Sequence, residues 1–180
     1  DIMKDLILYF KKNNLILENE VSFPYYYTTI HRPYNTDDKN RLLQILSAME
    51  ELDRKIIFAR HPRTKNLMEQ YQISSEEFKN LVFIEPQAYF ENLSLLYHSD
   101  GLITDSGGMQ KEAYWLQKKC LTVRTETEWV ETLKNDANQL IFHDLNKMKE
   151  VLDQTQATYD EDLYGYGNTA NLIVAKILAQ

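Results

Sequence analysis

The sequence has a single cysteine in 180 residues, Cys120. One cysteine excludes an internal disulfide and a cysteine-rich metal site. Such scarcity is typical of proteins kept in a reducing compartment, so we expect a cytoplasmic location. Cys120 lies in an apolar run and is expected to be a small buried residue.

Basic residues are outnumbered by acidic ones, and the formal net charge is −7. A nucleic-acid partner recognised through a basic face is therefore not expected. No apolar run approaches the ~20 residues of a membrane span, so we expect no membrane partner. The first five residues carry neither the basic start nor the apolar core of a signal peptide. Because the chain starts without methionine inside a helical pattern, we expect it to be part of a longer protein.

Glycine and proline are also scarce, with five and four copies. Glycine falls well below its usual share of about 7%, so each copy is expected where backbone freedom or close approach is needed. Gly107 and Gly108 are adjacent. Three prolines follow predicted strands within three residues: Pro33, Pro62 and Pro86.

Short apolar segments alternate with amphipathic ones along the chain. Most apolar segments are too hydrophobic to have a wet face, which predicts a parallel sheet covered on both sides. The predicted strands are Pro24–Ile30, Lys55–Ala59, Leu81–Ile84, Gly101–Thr104, Cys120–Val123 and, as an edge strand, Gln139–Phe142. This alternation predicts right-handed βαβ units and an α/β fold, a three-layer α/β/α Rossmann-like sandwich. Without a linker or an internal repeat, we expect one domain over residues 1–180.

Helix patterns lie between the strands. Apolar stripes predict helices around residues 2–10, 42–49 and 172–177. Ser74–Glu77 matches a capping box and should begin a short helix before the third strand. Such helices would cover the two faces of the sheet.

Polar side chains collect where the predicted strands end. The residues that follow the first four strands are mostly basic: His31, Arg32, Arg60, His61, Arg63, Gln87, Asp105 and Ser106. Ligands of open parallel sheets bind beyond the carboxyl ends of the strands. A mostly cationic rim on an acidic protein therefore indicates a small anionic ligand.

The segment Thr104–Glu112 leaves a predicted strand and enters a helix through Ser106, Gly107 and Gly108. Two glycines let backbone N–H groups turn toward a phosphate, and the helix N-terminus adds partial positive charge. The segment matches neither the Walker A loop nor the dinucleotide fingerprint. Alone, it is better explained as a tight turn with Asp105 or Ser106 as N-cap. With the basic rim added, a phosphate site becomes the better interpretation.

Three further side chains have open roles. Glu112 lies one helical turn after Gly108, where a carboxylate either accepts hydrogen bonds from a ribose or only balances the helix dipole. His31 and His61 are candidates for acid–base chemistry or phosphate binding, although a histidine that ends a strand more often has a purely structural role. No histidine pair has the i, i+4 spacing of a helical metal site, so we expect no metal.

Five motifs occur in order along the chain: Thr29–Asp37, His61–Thr64, Glu85–Tyr89, Thr104–Ala113 and Arg124–Trp129. Together they resemble the C-terminal half of bacterial UDP-N-acetylglucosamine 2-epimerases. Residues 1–5 and 163–168 resemble the segment that enters this half and the approach to its last helix. The resemblance covers nearly the whole chain.

The resemblance implies a GT-B fold, in which two Rossmann-like domains close on a UDP-sugar and this half binds UDP. With the basic rim, the substrate-binding residues would be His31, Arg32, His61, Gln87, Ser106, Gly107, Gly108 and Glu112. By family analogy the Ser-Gly-Gly turn takes the diphosphate and Glu112 takes the ribose. The segment near Gln87 takes the uracil side, and His31 assists catalysis beside the sugar.

The implied reaction inverts C2 of the sugar by eliminating UDP to a glycal and adding it back, without a redox cofactor. The carboxylates that move the C2 proton would come from an N-terminal domain that this chain lacks. We therefore expect the isolated chain to be inactive. A homodimer of the full-length protein is left open.

Departures from the family leave alternatives. Tyr34 stands where Glu is common, and Trp129 replaces an arginine, so a basic contact to the substrate is missing at position 129. Lys111, Tyr114 and Trp129 are more similar to the subgroup acting on UDP-2,3-diacetamido-glucuronic acid, which leaves the exact sugar open. A separately encoded UDP-binding module and a GT-B glycosyltransferase half are the alternative functions.

The surface that meets the missing domain is expected at five tyrosines unless they are core: Tyr25, Tyr26, Tyr27, Tyr164 and Tyr166.

Overall fold

The computed structural model describes residues 1–154 and 157–179. Within these ranges the strands are β1 (Tyr25–Thr29), β2 (Lys55–Ala59), β3 (Leu81–Ile84), β4 (Leu102–Thr104), β5 (Cys120–Thr122) and β6 (Asn138–Leu140). The helices are α1 (Ile2–Lys12), α2 (Pro33–Thr36), α3 (Lys39–Glu50), α4 (Pro62–Gln70), α5 (Tyr89–His98), α6 (Gly107–Trp115), α7 (Met148–Asp153) and α8 (Thr169–Leu178). Short 3₁₀ segments cover Ser75–Glu77, Val130–Asp136 and Leu145–Lys147. Over the same ranges, no helix has both the length and the apolar character needed to cross a bilayer.

The strands form one parallel sheet in the order β3-β2-β1-β4-β5-β6. The chain winds outward from β1 to β3 and then returns to the other side of β1, where Thr29 lies opposite Thr104 of β4. Ligands of open α/β sheets bind where the strand order reverses in this way. The predicted parallel sheet is confirmed, with β6 at one edge, although β6 starts one residue before the predicted Gln139.

Two apolar layers cover the sheet. On one face α3 packs Leu42, Ile45 and Met49 against β2. On the other face α1, α5 and α6 pack together. Side chains of a strand point alternately to the two faces, and β1 follows this rule. Tyr26 faces the first layer, whereas Tyr25 and Tyr27 face the second.

The five tyrosines expected at a domain surface behave differently from one another. Tyr25, Tyr26 and Tyr27 are 1%, 3% and 0% exposed. For these three the surface expectation is wrong and the core alternative is correct, because a central strand is covered on both faces. Tyr164 is half-buried against the second layer, and Tyr166 is 74% exposed.

The predicted helices near both ends of the chain and after β1 are present as α1, α8 and α3. The capping box at Ser74 and Glu77 is formed, but it begins only a three-residue 3₁₀ turn. Four helices were not predicted: the short α2 and α7, and the longer α4 and α5. α4 buries only Thr64 and Met68, which is too few residues for an apolar stripe. α5 is apolar on most of its sides, so its period is obscured.

α1 anchors the C-terminal segment. The Lys4 ammonium donates hydrogen bonds to the carbonyl oxygens of Glu161, Leu163 and Gly165 at 2.5, 3.0 and 2.5 Å. The backbone N–H of Ala170, in the first turn of α8, donates to Asp5 at 2.9 Å. The rest of α8 is uncovered, with none of its residues buried. Its exposed apolar residues are Leu172, Ile173, Val174, Ile177 and Leu178.

Candidate functional site

The first turn of α6 lies at the point where the strand order reverses. The amides of Asp105 and Ser106 are already used, since they donate to Thr29 O at 3.3 Å and to Thr104 Oγ1 at 3.0 Å. The amides that follow, from Gly107 onward, open the helix, and a helix gives its first amides no partner of its own. Ser106 occupies the N-cap position, yet its side chain makes no capping hydrogen bond. An anion at this end could therefore take both the first-turn amides and the Ser106 hydroxyl.

The two glycines of this turn are helical and have no positive φ. They are not needed for an unusual backbone conformation, so their small size is what matters. A β-carbon on Gly108 would meet nothing within 4 Å and would project into open space. A side chain at position 108 would enter the space that a ligand needs for close approach to the backbone.

Asp105, which was predicted to lie at the rim, is buried and holds two turns of the site together. Its carboxylate is fully buried and accepts hydrogen bonds from the backbone N–H of His31 at 3.1 Å and of Arg32 at 2.9 Å. The Asn35 amide donates to the same carboxylate at 3.0 Å and to Val123 O at 2.8 Å. Asp105 thus fastens the turn after β1 to the turn after β4 and does not cap α6, as one alternative had it.

His31 stands directly beside this carboxylate, with Nδ1 3.2 Å from Asp105 Oδ1. Burial lowers the pKa of His31, and the neighbouring His61 and Arg32 act in the same direction, whereas Asp105 opposes them. A neutral His31 with its proton on Nδ1 would leave Nε2 as an acceptor. The His61 ring lies 5.3 Å away, centroid to centroid. This geometry fixes the His31 ring and leaves its Nε2 without a hydrogen-bond partner among the described residues.

The other predicted rim residues are largely engaged by neighbours. His61 Nδ1 accepts the Arg63 amide at 3.2 Å and caps α4, while the Arg63 side chain pairs with Asp37. The Arg60 guanidinium stacks over the Phe83 ring, 5.1 Å from its centroid. These contacts support structural roles for Arg60 and Arg63 in the absence of a ligand.

Gln87 is not brought into contact with the α6 turn. Its amide folds back onto Glu85 O at 2.7 Å, and it lines a 330 Å³ cleft with residues of the 17–21 segment. β3 lies three strand positions from β4, or about 14 Å at ~4.8 Å per strand. A ligand that reached both Gln87 and Ser106 would have to extend along the edge of the sheet.

Glu112 is a buried carboxylate, 7% exposed, on the second turn of α6. Burial raises its pKa, and Tyr89 and Lys111 act in the opposite direction. The Tyr89 hydroxyl lies beside it, buried, without direct hydrogen-bond geometry to any described residue. Helix dipoles are balanced by exposed acidic groups in the first turn. A desolvated carboxylate with no charged partner at hydrogen-bond distance among the described residues instead fits a group that receives hydroxyls from a ligand.

Sequence reasoning missed a charged pair at the same edge. A β-carbon on Gly107 would lie 3.7 Å from each of three atoms: Arg124 Nη1, Glu128 Oε2 and Trp129 Nε1. Arg124 and Glu128 form a two-point pair at 2.8 Å and 2.8 Å, and the hydrogen bond from Arg124 lowers the pKa of Glu128 to about 2. Their i, i+4 spacing directly after β5 was the signal available in the sequence.

One turn further along α6, Lys111 is enclosed by aromatic rings. We call Lys111, Trp115, Trp129, Tyr164 and Asp1 the Lys111 cluster. The Lys111 ammonium lies 3.9 Å from the centroid of Trp129 and 2.5 Å from Asp1 Oδ2. Burial lowers the pKa of Lys111. The cluster thus places a buried cation, paired with Asp1, against the face of the Trp129 ring.

Three further observations concern features outside the candidate site. A 990 Å³ groove between α3 and residues 143–149 includes none of the candidate site residues. In the part of the chain that the structure describes, no three His, Cys, Asp or Glu side chains are grouped as they would be around a metal ion. Cys120 is buried as predicted, and burial raises the pKa of its thiol to about 12.

A parallel sheet in this order, with helices on both faces, defines a Rossmann-like α/β domain. The family model described as UDP-N-acetylglucosamine 2-epimerase matches residues 1–178. The chain therefore belongs to the UDP-N-acetylglucosamine 2-epimerase family.

Individual relatives agree with this membership. A UDP-N-acetylglucosamine 2-epimerase homolog of Methanococcus maripaludis is 38% identical over 97% of this chain and 52% of its own length. UDP-2,3-diacetamido-2,3-dideoxy-D-glucuronate 2-epimerase of Pseudomonas aeruginosa is 33% identical over the whole chain and 51% of its own length. The structure of Methanocaldococcus jannaschii UDP-GlcNAc 2-epimerase in complex with UDP-GlcNAc and UDP matches with a TM-score of 0.89 and 31% identity, covering all of this chain and 54% of that protein. The chain thus spans about half the length of these relatives.

Proposed function

We propose that this chain is the UDP-binding C-terminal domain of a UDP-sugar 2-epimerase that acts on UDP-N-acetylglucosamine or a related UDP-sugar. The observation that carries the proposal is the first turn of α6 at the β1–β4 switch point. There an uncommitted Ser106 hydroxyl lies one residue from the carboxylate that holds His31. The diphosphate would take the amides of the α6 first turn and the Ser106 hydroxyl, with Gly107 and Gly108 permitting close approach.

The remaining assignments follow the length of the ligand. The ribose hydroxyls would donate to Glu112, which is buried and has no paired cation at hydrogen-bond distance among the described residues. The uracil would extend along the sheet edge toward Gln87. His31, with Arg32 and His61 around it, would face the sugar. The solved relative that carries UDP-GlcNAc and UDP supports a ligand of this kind in the family.

The chemistry requires a proton and a leaving group to depart from neighbouring carbons. A base removes the C2 proton while the C1–O bond to UDP breaks, and a glycal forms. UDP then adds back to C1 as a proton returns to the opposite face of C2. This half would hold the leaving UDP, since hydrogen bonds at a helix N-terminus stabilise the negative charge that develops on the diphosphate. The sequence of steps moves no net electrons, so it calls for no redox cofactor.

The proton-moving carboxylates are proposed to lie in an N-terminal domain that the chain does not include, which would leave the isolated chain inactive. The relatives are about twice as long as this chain. The uncovered apolar side chains of α8 support a missing cover, because exposed apolar patches of this kind mark interaction surfaces. We also propose a cytoplasmic location, in keeping with one buried, unpaired cysteine.

Two experiments test the proposal. Calorimetry with UDP should show weak binding to this chain, about three- to tenfold weaker in Ser106→Ala, from the loss of one hydrogen bond worth ~1 kcal/mol. Ser47→Ala, an exposed serine on α3, is the matched control. With the full-length protein in D₂O, deuterium should enter C2 of the sugar together with the inverted product. UDP binding that is absent or indifferent to Ser106→Ala would contradict the site, and transfer of the sugar without inversion would favour a glycosyltransferase.

A further inference from the structure

Lys111 is a buried cation near the proposed diphosphate site, held by an acidic residue and by aromatic rings. Its side chain is 10% exposed, and it lies on α6 less than two turns from the proposed diphosphate site. Three aromatic rings surround its ammonium, with centroids at 3.9 Å for Trp129, 5.5 Å for Trp115 and 5.8 Å for Tyr164. Burying a charge is costly unless it is paired. Here Asp1 and the ring faces provide the compensation.

Trp129 connects this cation to the site. The face of its ring receives the Lys111 ammonium, while its indole nitrogen lies 3.7 Å from the place where a β-carbon on Gly107 would stand. That nitrogen is buried without a hydrogen-bond partner among the described residues. The loop that carries Trp129 also contributes Glu128, which pairs with Arg124 beside the same glycine. Any shift of the Trp129 ring would therefore be felt at the first turn of α6.

On its other side, the Lys111 cluster joins the two ends of the described chain. Asp1 caps α1 by accepting the Met3 amide at 2.9 Å, and its own nitrogen lies 3.1 Å from Thr169 Oγ1, the first residue of α8. Tyr164, whose ring borders Lys111, donates its hydroxyl to Glu131 at 3.0 Å. The start of α1, the start of α8 and the loop after Trp129 thus meet around one ammonium group.

We propose that Lys111 is a positioning residue that couples nucleotide binding at the first turn of α6 to the junction between α1 and α8, acting through Trp129. The inference rests on the proposed function, because that junction is where the N-terminal domain would be attached and where α8 would be covered. Occupancy of the diphosphate site would then be transmitted to the domain junction through one ring and one cation. The cluster is a contiguous set of packed groups, the physical requirement for such coupling.

Removing the charge while keeping the stem separates this role from packing. Lys111→Met loses the ion pair with Asp1 and the cation–ring contacts, and it leaves the Asp1 carboxylate without its partner. The Trp129 ring then loses its contact with the Lys111 ammonium. We expect UDP affinity to fall about fivefold although Lys111 does not touch the ligand, and Lys111→Arg to restore it, because arginine also stacks on aromatic faces.

Intrinsic fluorescence gives a direct readout. The chain has two tryptophans, and both Trp115 and Trp129 border Lys111, so every tryptophan signal comes from the cluster. UDP should change the emission of the parent and of Lys111→Arg, with a smaller change in Lys111→Met at saturating UDP. Lys118→Met is the matched control. This lysine is also partly buried on an aromatic ring, 5.7 Å from Tyr97, and it donates to Ser99 O at 2.8 Å.

Hydrogen exchange of residues 164–170 at saturating UDP adds a measurement that does not depend on affinity. UDP should slow exchange there in the parent, and this protection should be lost in Lys111→Met. Parent-like affinity and protection in Lys111→Met would overturn the coupling while the UDP site stands. Equal losses in Lys118→Met would overturn it too, by showing a general loosening. Failure of the parent to bind UDP would overturn the proposed function together with it. Should Lys111→Met not fold, Lys111→Gln, which also removes the charge, takes its place, and it must lose the protection for the coupling to stand.

Discussion

Replacing the Glu112 carboxylate by an amide should make the domain more stable and a poorer nucleotide binder. Glu112 is 7% exposed, and burial raises its pKa, so the charged form is disfavoured in the folded state. Glu112→Gln removes that charge and keeps an acceptor beside the Tyr89 hydroxyl. One pKa unit corresponds to ~1.4 kcal/mol. Each kcal/mol gained through this shift raises Tm by about 2–4 °C in a chain of this size.

The pH dependence of this gain has a definite sign. A carboxyl whose folded pKa is raised stabilises the fold below its ordinary pKa, and this stability is lost as the pH rises through the folded value. The advantage of Glu112→Gln should therefore be larger at pH 7.5 than near pH 4, where the carboxyl is mostly protonated in both states. Thermal melts at the two pH values check this, with the exposed Glu91→Gln as control.

UDP binding, in contrast to stability, should become weaker in Glu112→Gln. If ribose hydroxyls donate to the Glu112 carboxylate, its loss removes charge-assisted hydrogen bonds worth ~1.5–3 kcal/mol. UDP affinity measured by calorimetry should then fall about 10- to 150-fold. A Glu112→Gln variant that melts lower at pH 7.5 and binds UDP like the parent would refute both steps of the reasoning.

Three further predictions concern neighbouring groups. Asp105→Asn should lower the free energy of unfolding by about 3 kcal/mol in a denaturant titration, because its amide would face the donors of His31, Arg32 and Asn35. Unchanged stability would contradict the fastening role. Burial lowers the pKa of His31, so its contribution is present above the ordinary value of 6.5 and lost as the pH falls. The Tm of the parent should therefore drop more between pH 7.5 and 5.5 than that of His31→Asn, and parallel curves would count against it. Gly108→Ala should stabilise α6 by about 1 kcal/mol in thermal melts and yet weaken UDP binding at least tenfold by calorimetry. Undiminished binding would mean that the open space beside Gly108 is not used by the ligand.

The sequence predicted the architecture well because the determinants of a parallel sheet are local. Runs such as Lys55–Ala59 and Leu81–Ile84 are β2 and β3 residue for residue. α4 escaped detection because it buries only Thr64 and Met68, and the helix expected at Ser74 stops after one 3₁₀ turn. In both cases tertiary packing determines how far the helix extends, and the hydrophobic periodicity of the sequence does not.

Sequence motifs placed His31 and Ser106 at strand ends, and the structure brings these strand ends together at one edge of the sheet. The motifs could not show that Asp105 is a buried fastener, since this depends on donors 70 to 74 residues away. The neighbours of Lys111 lie up to 110 residues from it along the chain, and no local pattern reports such a meeting.

α8 has a consequence for how the last residues of this chain behave. The helix has ten residues, buries none of them, and is attached through Asp5 and Asp1 at its first turn. Isolated helices shorter than about 12–15 residues are marginal in water. The far turns of α8 should therefore fray and be cut first by a protease in the free chain, and they should gain helicity once an apolar surface covers them. The protease sensitivity of α8 should therefore report whether its apolar side chains are covered, and limited digestion can measure this without an activity assay.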